Sequence, residues 1–555
     1  MGIPTYFRYL FQQHGPEILS FSVKNVDHLY FDFNSIIYNV YYKKLEENQN
    51  QNKFLANIYM ELKKICLTVN PTKTVGLFFD GPVPRAKMVQ QRSRRYKSIQ
   101  LDEFLQKKKS CFNPSNNICP GTIFMYEMTK YLKQNFVDLR KELPHHPEIF
   151  MSDSNSFGEG EHKMMPLIRN LDQKDSLCVM SPDNDLLSLL ILTGHKNIYL
   201  LRVVDSMLKK IIRIVDESSL IFIDMDTIRE KFKEDQKTKI SSMVNMDEEN
   251  LLLDYNFLLS MVGNDFVAVL PYMRIKSGGM NTLLSIYTNI INEKKKYLID
   301  KKTLSIHQDF FQRLVSELSK MELSQFRKLG SFIHLEQNKT VDDHQSDEKL
   351  EDKINHLYLC NPASPLYDIY KQDFDRMTFH GSIDEMKRKY YNHFEIIGTK
   401  KKNEMIQEYL KSLKFTLLYY NEKCPSTEWF YKYRCAPFFS DVLNFLNREN
   451  INELSFATTG KIFTPFQQLL FILPSVSKHI LPTSFHGLFQ KYKMNYPEHF
   501  KVDALQGLKY IYSEAILPEF KYVKSMENDI RMIEKNLSDF EKERNKINKI
   551  TKFTH

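Results

Sequence analysis

One pattern restricts this 555-residue chain more than any other. In its first 270 residues, short apolar runs rich in β-branched and aromatic residues, at 28–33, 74–79, 148–151, 177–180 and 198–203, alternate with longer stretches of helical period. Parallel strands are buried on both faces and need long crossover connections, so the alternation predicts an α/β fold with a mainly parallel sheet flanked by helices. From Asp254 onward the period is helical, and after an interruption it resumes near Met386. The interruption, QNKTVDDHQSDEKLEDK at 337–353, carries six acidic and three basic residues with one Val and one Leu, which reads as a surface loop or linker. Near the C-terminus Met526, Ile530, Ile533, Leu537, Phe540 and Ile547 form a stripe that predicts one amphipathic helix. It packs either on the protein's own body or in a coiled coil with a partner.

Acidic residues stand where the strands end. Asp32 closes the first run, Asp80 follows the second in Phe79-Asp80-Gly81, and Asp183 and Asp185 follow Cys178-Val179-Met180. The carboxyl ends of parallel strands share one edge, so these four converge although they lie up to 153 positions apart. Glu159 and Glu161 sit where a glycine-rich turn opens a helix, and Asp265 follows Gly263 at a helix end. A lone Asp after a strand is most often a helix cap or turn former. Seven carboxylates in one cleft are different: they cannot all stay ionised without countercharge. Oxygen ligands without a second His or any Cys suit Mg²⁺, with Mn²⁺ able to substitute, and two such ions about 3.5–4 Å apart suit in-line displacement at phosphorus. His162 has no second His at metal spacing and is assigned to the helix surface.

Countercharge of another kind lies close by. Between Arg85 and Lys109 there are nine basic side chains against two acidic ones, a far stronger bias than the chain's overall net charge of +9. If 87–97 is helical, Lys87, Gln91, Arg94 and Arg95 share one face directly after Asp80, a socket for a terminal phosphate. The substrate is then a nucleic-acid end. Seven cysteines without a C-x-x-C pair argue against a disulfide framework and a thiolate zinc site. The longest apolar runs, such as 186–192, fall far short of a membrane span, and Arg8 stands where a signal peptide is apolar. The expectation is a soluble, non-secreted protein of a reducing compartment, the cytoplasm rather than the nucleus.

With these residues in hand, the sequence resembles the 5′→3′ exoribonuclease (XRN) family. The likeness is carried by Met1-Gly2-Ile3-Pro4 with Phe7-Arg8, the block from Phe79 to Met88 continuing through Gln90 to Arg95, Pro120-Gly121-Thr122, Gly158 to Lys163, and Gly263 to Phe266. It continues through Trp429-Phe430-Tyr431, Ala436-Pro437, Ser440-Asp441, Leu473-Pro474 and Leu481-Pro482, so it covers both conserved regions. The resemblance implies a PIN/flap-nuclease-like sheet followed by a largely helical second region. By it Asp32, Asp80, Glu159, Glu161, Asp183, Asp185 and Asp265 are the metal-site acids, and Lys87, Gln91, Arg94 and Arg95 the 5′-monophosphate pocket. Two departures stand out. Tyr38 replaces a base-stacking histidine, and the family's tryptophan-rich run keeps only Trp429, either a base-stacking residue or a core anchor.

The likeness sets out the chain as a nuclease core (1–335), a variable acidic linker (336–380), a helical second region packed on the core (381–520) and a C-terminal amphipathic helix (521–555), a minimal form without the long extension of larger members. The implied activity is processive 5′→3′ degradation of 5′-monophosphorylated single-stranded RNA to nucleoside monophosphates by a monomer with two Mg²⁺ ions. A flap-endonuclease-like DNA enzyme and a catalytically silent RNA-binding scaffold are the alternatives. The first lacks a helix-hairpin-helix glycine pattern here, and the second is expected to have lost acids that this sequence keeps.

Overall fold

The computed structural model describes residues 2–23, 26–43, 50–104, 112–204, 206–212, 220–242, 246–337, 381–421, 424–457, 460–503 and 514–548. Seven strands, β1 (Leu19–Ser20), β2 (His28–Asp32), β3 (Thr74–Phe78), β4 (Glu148–Ser152), β5 (Leu177–Met180), β6 (Ile198–Val203) and β7 (Leu220–Asp224), form one sheet in the order β1-β7-β6-β5-β2-β3-β4. The five strands foreseen from the apolar runs are mutually parallel. Two more extend the sheet at one edge, β7 antiparallel to β6 and β1 antiparallel to β7. Neither was expected: β1 is too short to show a period, and the β7 run passes without a break into the helix Met225–Lys239.

Both faces of the sheet are covered. Leu29, Phe31, Leu77 and Phe79 pack on one side with residues of the helices Phe33–Lys43, Gln51–Val69 and Ile123–Glu142. Tyr30, Phe78 and Val179 face the other side, against Leu186 and Leu190 of the helix Asp185–Leu192 and Leu258 of the helix Glu248–Ser260. Adjacent strand residues point to opposite faces, which is why both halves of each run must be apolar. The second cluster continues without interruption to Phe311 and Leu410, so the helical second region shares a core with the sheet. Among the described residues, only the short hairpins β8–β9 (Ile299–Asp300, Ser305–Ile306) and β10–β11 (Lys501–Asp503, Glu514–Ile516) interrupt its helical character.

The chain runs from β2 outward through β3 to β4, then returns to lay β5 on the other side of β2. This reversal opens a crevice at the carboxyl ends of β2, β3 and β5, the place where open α/β sheets take ligands.

A third cluster joins Val83, Met88 and Cys119 to Phe466, Leu470, Phe485, Met526 and Ile530. The C-terminal stripe therefore lies on the protein's own body, but it is two helices, Lys524–Lys535 and Asp539–Asn545, and not one. Ser538 starts the second with a capping box with Glu541, and Phe540 is left exposed. Side chains that compete for backbone groups favour a new cap over a continued helix. The linker at 338–380 and the lysines Lys107 to Lys109 lie outside the described residues. Among the described residues no helix is long and apolar enough to cross a membrane.

Candidate active site

The crevice collects the acids. Asp32, last residue of β2, accepts a hydrogen bond from the Ser181 hydroxyl at 2.8 Å, and the Asp183 amide donates to the same hydroxyl at 3.0 Å. Asp80 accepts from the Gly160 amide at 2.9 Å through one oxygen and from the Asn34 side chain at 3.0 Å through the other. Glu159 is the N-cap of the helix Gly160–Arg169 and Glu161 lies in its first turn, so two carboxylates enter on a helix N-terminus, which favours negative charge. Gly160 must be small: a Cβ there would lie 2.7 Å from the Phe78 carbonyl and 3.3 Å from Asp32 Oδ1. Gly2, at φ +44°, abuts Asp183 and Asp185 so closely that any Cβ would collide with both. Asp265 stands in a turn held by Asn264, whose Oδ1 accepts from the Phe266 and Val267 amides at 2.9 Å.

The charges feel one another. Asp32 interacts with Asp80 and Asp183, Glu161 with Asp183, Glu159 and Asp185, and Asp185 with Asp183 and Asp265. All seven acids named from the sequence are thus brought together. Burial, and then the Asp80 charge, push Asp32 up to about 8. Burial followed by repulsion from Asp183 raises Glu161 and Asp185 well above the usual carboxylate range, and burial also raises Glu159. Against burial, which favours its neutral form, Lys87 and Arg94 hold Asp265 below its ordinary value. Asp185 Oδ1 is buried without a hydrogen-bond partner among the described residues. Seven carboxylates, with Asp32, Glu159, Glu161 and Asp185 raised and one carboxylate oxygen unsatisfied among the described residues, fit hard divalent cations.

The helix Arg85–Phe104 forms the cationic wall. Lys87 is ion-paired to both Glu159 and Asp265, with its Nζ 2.5 Å from Asp265 Oδ2, and Gln90 donates to the other Asp265 oxygen. Burial works against the Lys87 charge, but Asp265 and Glu159 outweigh it and raise its pKa. Lys87 is therefore part of the acid cluster and not only of a separate socket. Arg95, 7% exposed, donates to the Gln91 carbonyl at 3.3 Å and to Cys119 Sγ at 3.1 Å. The Nε atoms of Arg94 and Arg95 are buried without partners among the described residues. Gln91 Oε1 accepts from Gln468 at 3.2 Å, and Gln468 in turn accepts from the Val83 amide at 2.9 Å, which leaves the Gln91 NH₂ as the end able to meet an anion. Tyr38 is half-buried and within reach of Arg94 and Arg95.

Other basic residues of the segment are spoken for. Arg92 donates to the Pro518 and Asn495 carbonyls and lies over Phe520, while Arg85 lies over Phe463 and Tyr522. Both hold the C-terminal part in place, a use that residue counting cannot separate from anion binding. His162 corrects a second expectation. It is not on the helix surface but stacks on Tyr419 with ring centroids 3.9 Å apart, and burial lowers its pKa to about 3, so it is neutral at physiological pH. Its Nε2 lies 4.0 Å from Glu159 Oε2, and with Glu159 and Glu161 it forms a group able to hold a metal.

Several residues of the site were not foreseen. Asn34, Gln90 and Ser181 each lie within four residues of a named acid or cation, a local signal that was open to reading. Tyr419, Tyr420 and Gln468 had none, because they come from the helices Thr399–Asn421 and Pro465–Ile472, far along the chain from the last strand of the sheet. Tyr419 donates to Glu159 at 3.2 Å. Trp429 is partly buried: Phe415 lies 4.9 Å from it at 30°, Phe456 meets it edge-on, and its Nε1 donates to Glu408 at 2.7 Å. One side of the ring is thereby committed to Phe415.

A mainly parallel sheet that gathers acids at its carboxyl edge beside a cationic helix defines an α/β protein with a ligand crevice at the sheet's switch point. Residues 1–204 match the family profile described as the XRN 5′-3′ exonuclease N-terminus, and residues 245–358 and 383–553 match the Xrn1 helical domain. The chain belongs to the XRN 5′-3′ exonuclease family. It is 26% identical over 607 residues to the 5′-3′ exoribonuclease 1 of Homo sapiens, with 98% of this chain and 35% of that protein covered. Identity to the 5′-3′ exoribonuclease 2 of Gallus gallus is 24%, covering 99% of this chain and 71% of the relative; to the 5′-3′ exoribonuclease 1 of Saccharomyces cerevisiae it is 24%, covering 99% and 44%. The chain thus spans about a third of the human relative. The catalytic core of Rad2 in complex with DNA substrate overlaps 73% of this chain at 13% identity with a TM-score of 0.29, too low to carry an argument.

Proposed function

We propose that this protein is a processive 5′→3′ exoribonuclease that degrades single-stranded RNA bearing a 5′-monophosphate to nucleoside 5′-monophosphates. One observation carries the reading: Lys87 ties the cationic helix directly to Glu159 and Asp265. A terminal phosphate held by Gln91, Arg94 and Arg95 then brings the first internucleotide phosphate to the acids, so cleavage is measured from the end.

Asp32, Asp80, Glu159, Glu161, Asp183, Asp185 and Asp265 would hold two Mg²⁺ ions. When bound, such ions neutralise charge on the phosphate and lower the pKa of the attacking water. The remaining work falls to the chain. Arg94 and Arg95 offer buried guanidinium nitrogens for charge-assisted contacts, each worth about 1.5–3 kcal/mol. A cap makes the end larger than the socket, and a 5′-hydroxyl gives the two guanidiniums no anion to meet. Tyr38 offers a face for the leading base, where stacking is worth about 1–3 kcal/mol.

The test is a cleavage assay on 5′-monophosphorylated, 5′-hydroxyl and capped RNA with matched DNA, in Mg²⁺ and then in EDTA. Only the monophosphorylated RNA in Mg²⁺ should shorten stepwise from its 5′ end. Cleavage of DNA flaps would favour the endonuclease alternative, and binding without cleavage the silent scaffold.

A further inference from the structure

The basic helix does not orient its own phosphate donors unaided. Gln91, on the helix Arg85–Phe104, meets Gln468, fully buried on the helix Pro465–Ile472 and 377 residues away. Three groups stand in a row. The Val83 amide donates to Gln468 Oε1 at 2.9 Å, and Gln468 Nε2 donates to Gln91 Oε1 at 3.2 Å. Gln91 Nε2 has no partner among the described residues and is not sealed from solvent.

A side-chain amide can be turned end for end, so the direction of such a row needs a cause. Val83 supplies it, because a backbone N–H can only donate. The oxygen of Gln468 must therefore face Val83, its NH₂ must face Gln91, and the Gln91 oxygen must face Gln468. Gln91 is left to present its NH₂ on the helix face it shares with Arg94 and Arg95.

Both ends of the row are fixed. Val83 lies in the turn after Asp80, where the Gly81 amide donates to the Gly158 carbonyl at 2.9 Å and the Gly158 amide to the Pro82 carbonyl at 2.8 Å. Gln468 follows the capping box of Thr464 and Gln467, and the nearby Phe466 amide donates to Asn545 Oδ1 at 2.8 Å. Apolar packing could fill this space as well, but it would not set which end of Gln91 an anion meets.

We infer that Gln468 is a positioning residue for the 5′ end of the RNA: through Gln91 it fixes an NH₂ donor toward the terminal phosphate and so contributes to the preference for a monophosphate. The second region thereby takes part in reading the RNA end. This inference rests on the phosphate socket proposed above.

The test is the ratio of affinities for 5′-monophosphorylated and 5′-hydroxyl RNA, measured with Ca²⁺ in place of Mg²⁺ to hold back cleavage. Gln468→Met keeps the length of the side chain but not its hydrogen bonds. It should lower the ratio about 3- to 10-fold, through weaker binding of the monophosphorylated RNA. Repeating the change in a Gln91→Met background supplies a readout that packing alone would not move. There Q468M should alter the ratio by less than about twofold, because no amide remains at position 91 to be oriented. An unchanged ratio in Q468M, or the same drop in both backgrounds, would overturn the role.

Gln468→Glu decides the case should Q468M not fold. Its carboxyl keeps the shape and the bond from Val83, but it donates to Gln91 only when protonated. Once ionised it can only accept, and it turns the Gln91 NH₂ away from the socket. The ratio in Q468E, relative to wild type, should fall at least about threefold between about pH 6 and pH 9, and a ratio that tracks the wild type across that range would overturn the role. A wild type without any preference for the monophosphate removes the socket itself, whereas a wild type with that preference, matched by Q468M, removes only the part given to Gln468.

Discussion

Lys87 Nζ lies 2.5 Å from Asp265 Oδ2 although 178 residues separate them. The lysine belongs to the basic helix after β3 and the aspartate to a turn after the helix Glu248–Ser260, so a single ion pair closes the crevice from two sides. Because Lys87 is buried and also paired with Glu159, its charge is the main compensation the protein itself gives the acids. One lysine cannot balance seven carboxylates, and this excess governs how the protein should respond to substitution, pH and metal.

Replacing Asp183 and Asp185 together by Asn should abolish hydrolysis and leave RNA binding. The expected loss is about a thousandfold or more in the cleavage rate, corresponding to about 4 kcal/mol of transition-state stabilisation. Single-turnover kinetics with a filter-binding control checks it. A double variant that still cleaves in Mg²⁺ would remove these residues from the metal site.

The metal-free protein should lose stability as pH rises from about 4 to about 8. Asp32 titrates near 8 in the folded state and near 4 when unfolded, so across this window the folded state binds the extra proton and rising pH favours unfolding. Glu161 and Asp185, raised by burial and by Asp183, act in the same direction. Thermal melts in EDTA should therefore show a falling midpoint over that range, Mg²⁺ should reverse the fall, and calorimetry near neutral pH should register proton release on Mg²⁺ uptake. Asp185→Asn should melt about 2 °C or more above the wild type in EDTA. A flat midpoint and no released protons would contradict the crowding of these acids.

Arg95→Ala should act on discrimination before turnover. Loss of its charge-assisted contact is expected to reduce the preference for monophosphate over hydroxyl ends by about 10- to 150-fold, the equivalent of about 1.5–3 kcal/mol. Competition between the two RNAs in one tube measures the ratio directly. An unchanged ratio would take Arg95 out of the phosphate pocket.

Arg544→Ala should destabilise the fold by about 2–4 kcal/mol, read as a lower urea midpoint. The side chain is 3% exposed, lies over Phe466 and Phe540, and donates to the Gly121 carbonyl at 2.9 Å. Its segment also straps the loop that leads to Glu159, because the Asn155 side chain donates to the Glu543 and Lys546 carbonyls at 2.9 Å and the Asn548 amide donates back to the Asn155 carbonyl. A midpoint equal to wild type would show the strap to be dispensable.

The sheet was legible where signals are local. The runs at β2, β3, β5 and β6 alternate faces that must both be buried, and an Asp at the end of such a run can only arrive at the sheet's carboxyl edge. The helical face of Lys87, Gln91, Arg94 and Arg95 was legible for the same reason, since a period of 3.6 residues fixes neighbours within two turns. Arg92 sits in the same run and yet points to the Pro518 and Asn495 carbonyls, a use that depends on segments 426 and 403 residues away.

The sequence by itself determined the α/β class, the acids that must meet and the helix that must carry positive charge, because each follows from strand and helix periodicity over a few residues. Only the tertiary structure decided that Lys87 enters the acid cluster and that His162 is buried against Tyr419. These are contacts between elements that local periodicity does not relate. They exist because a shared hydrophobic core, running from the sheet through Phe311 to Leu410, brings the second region down onto the first.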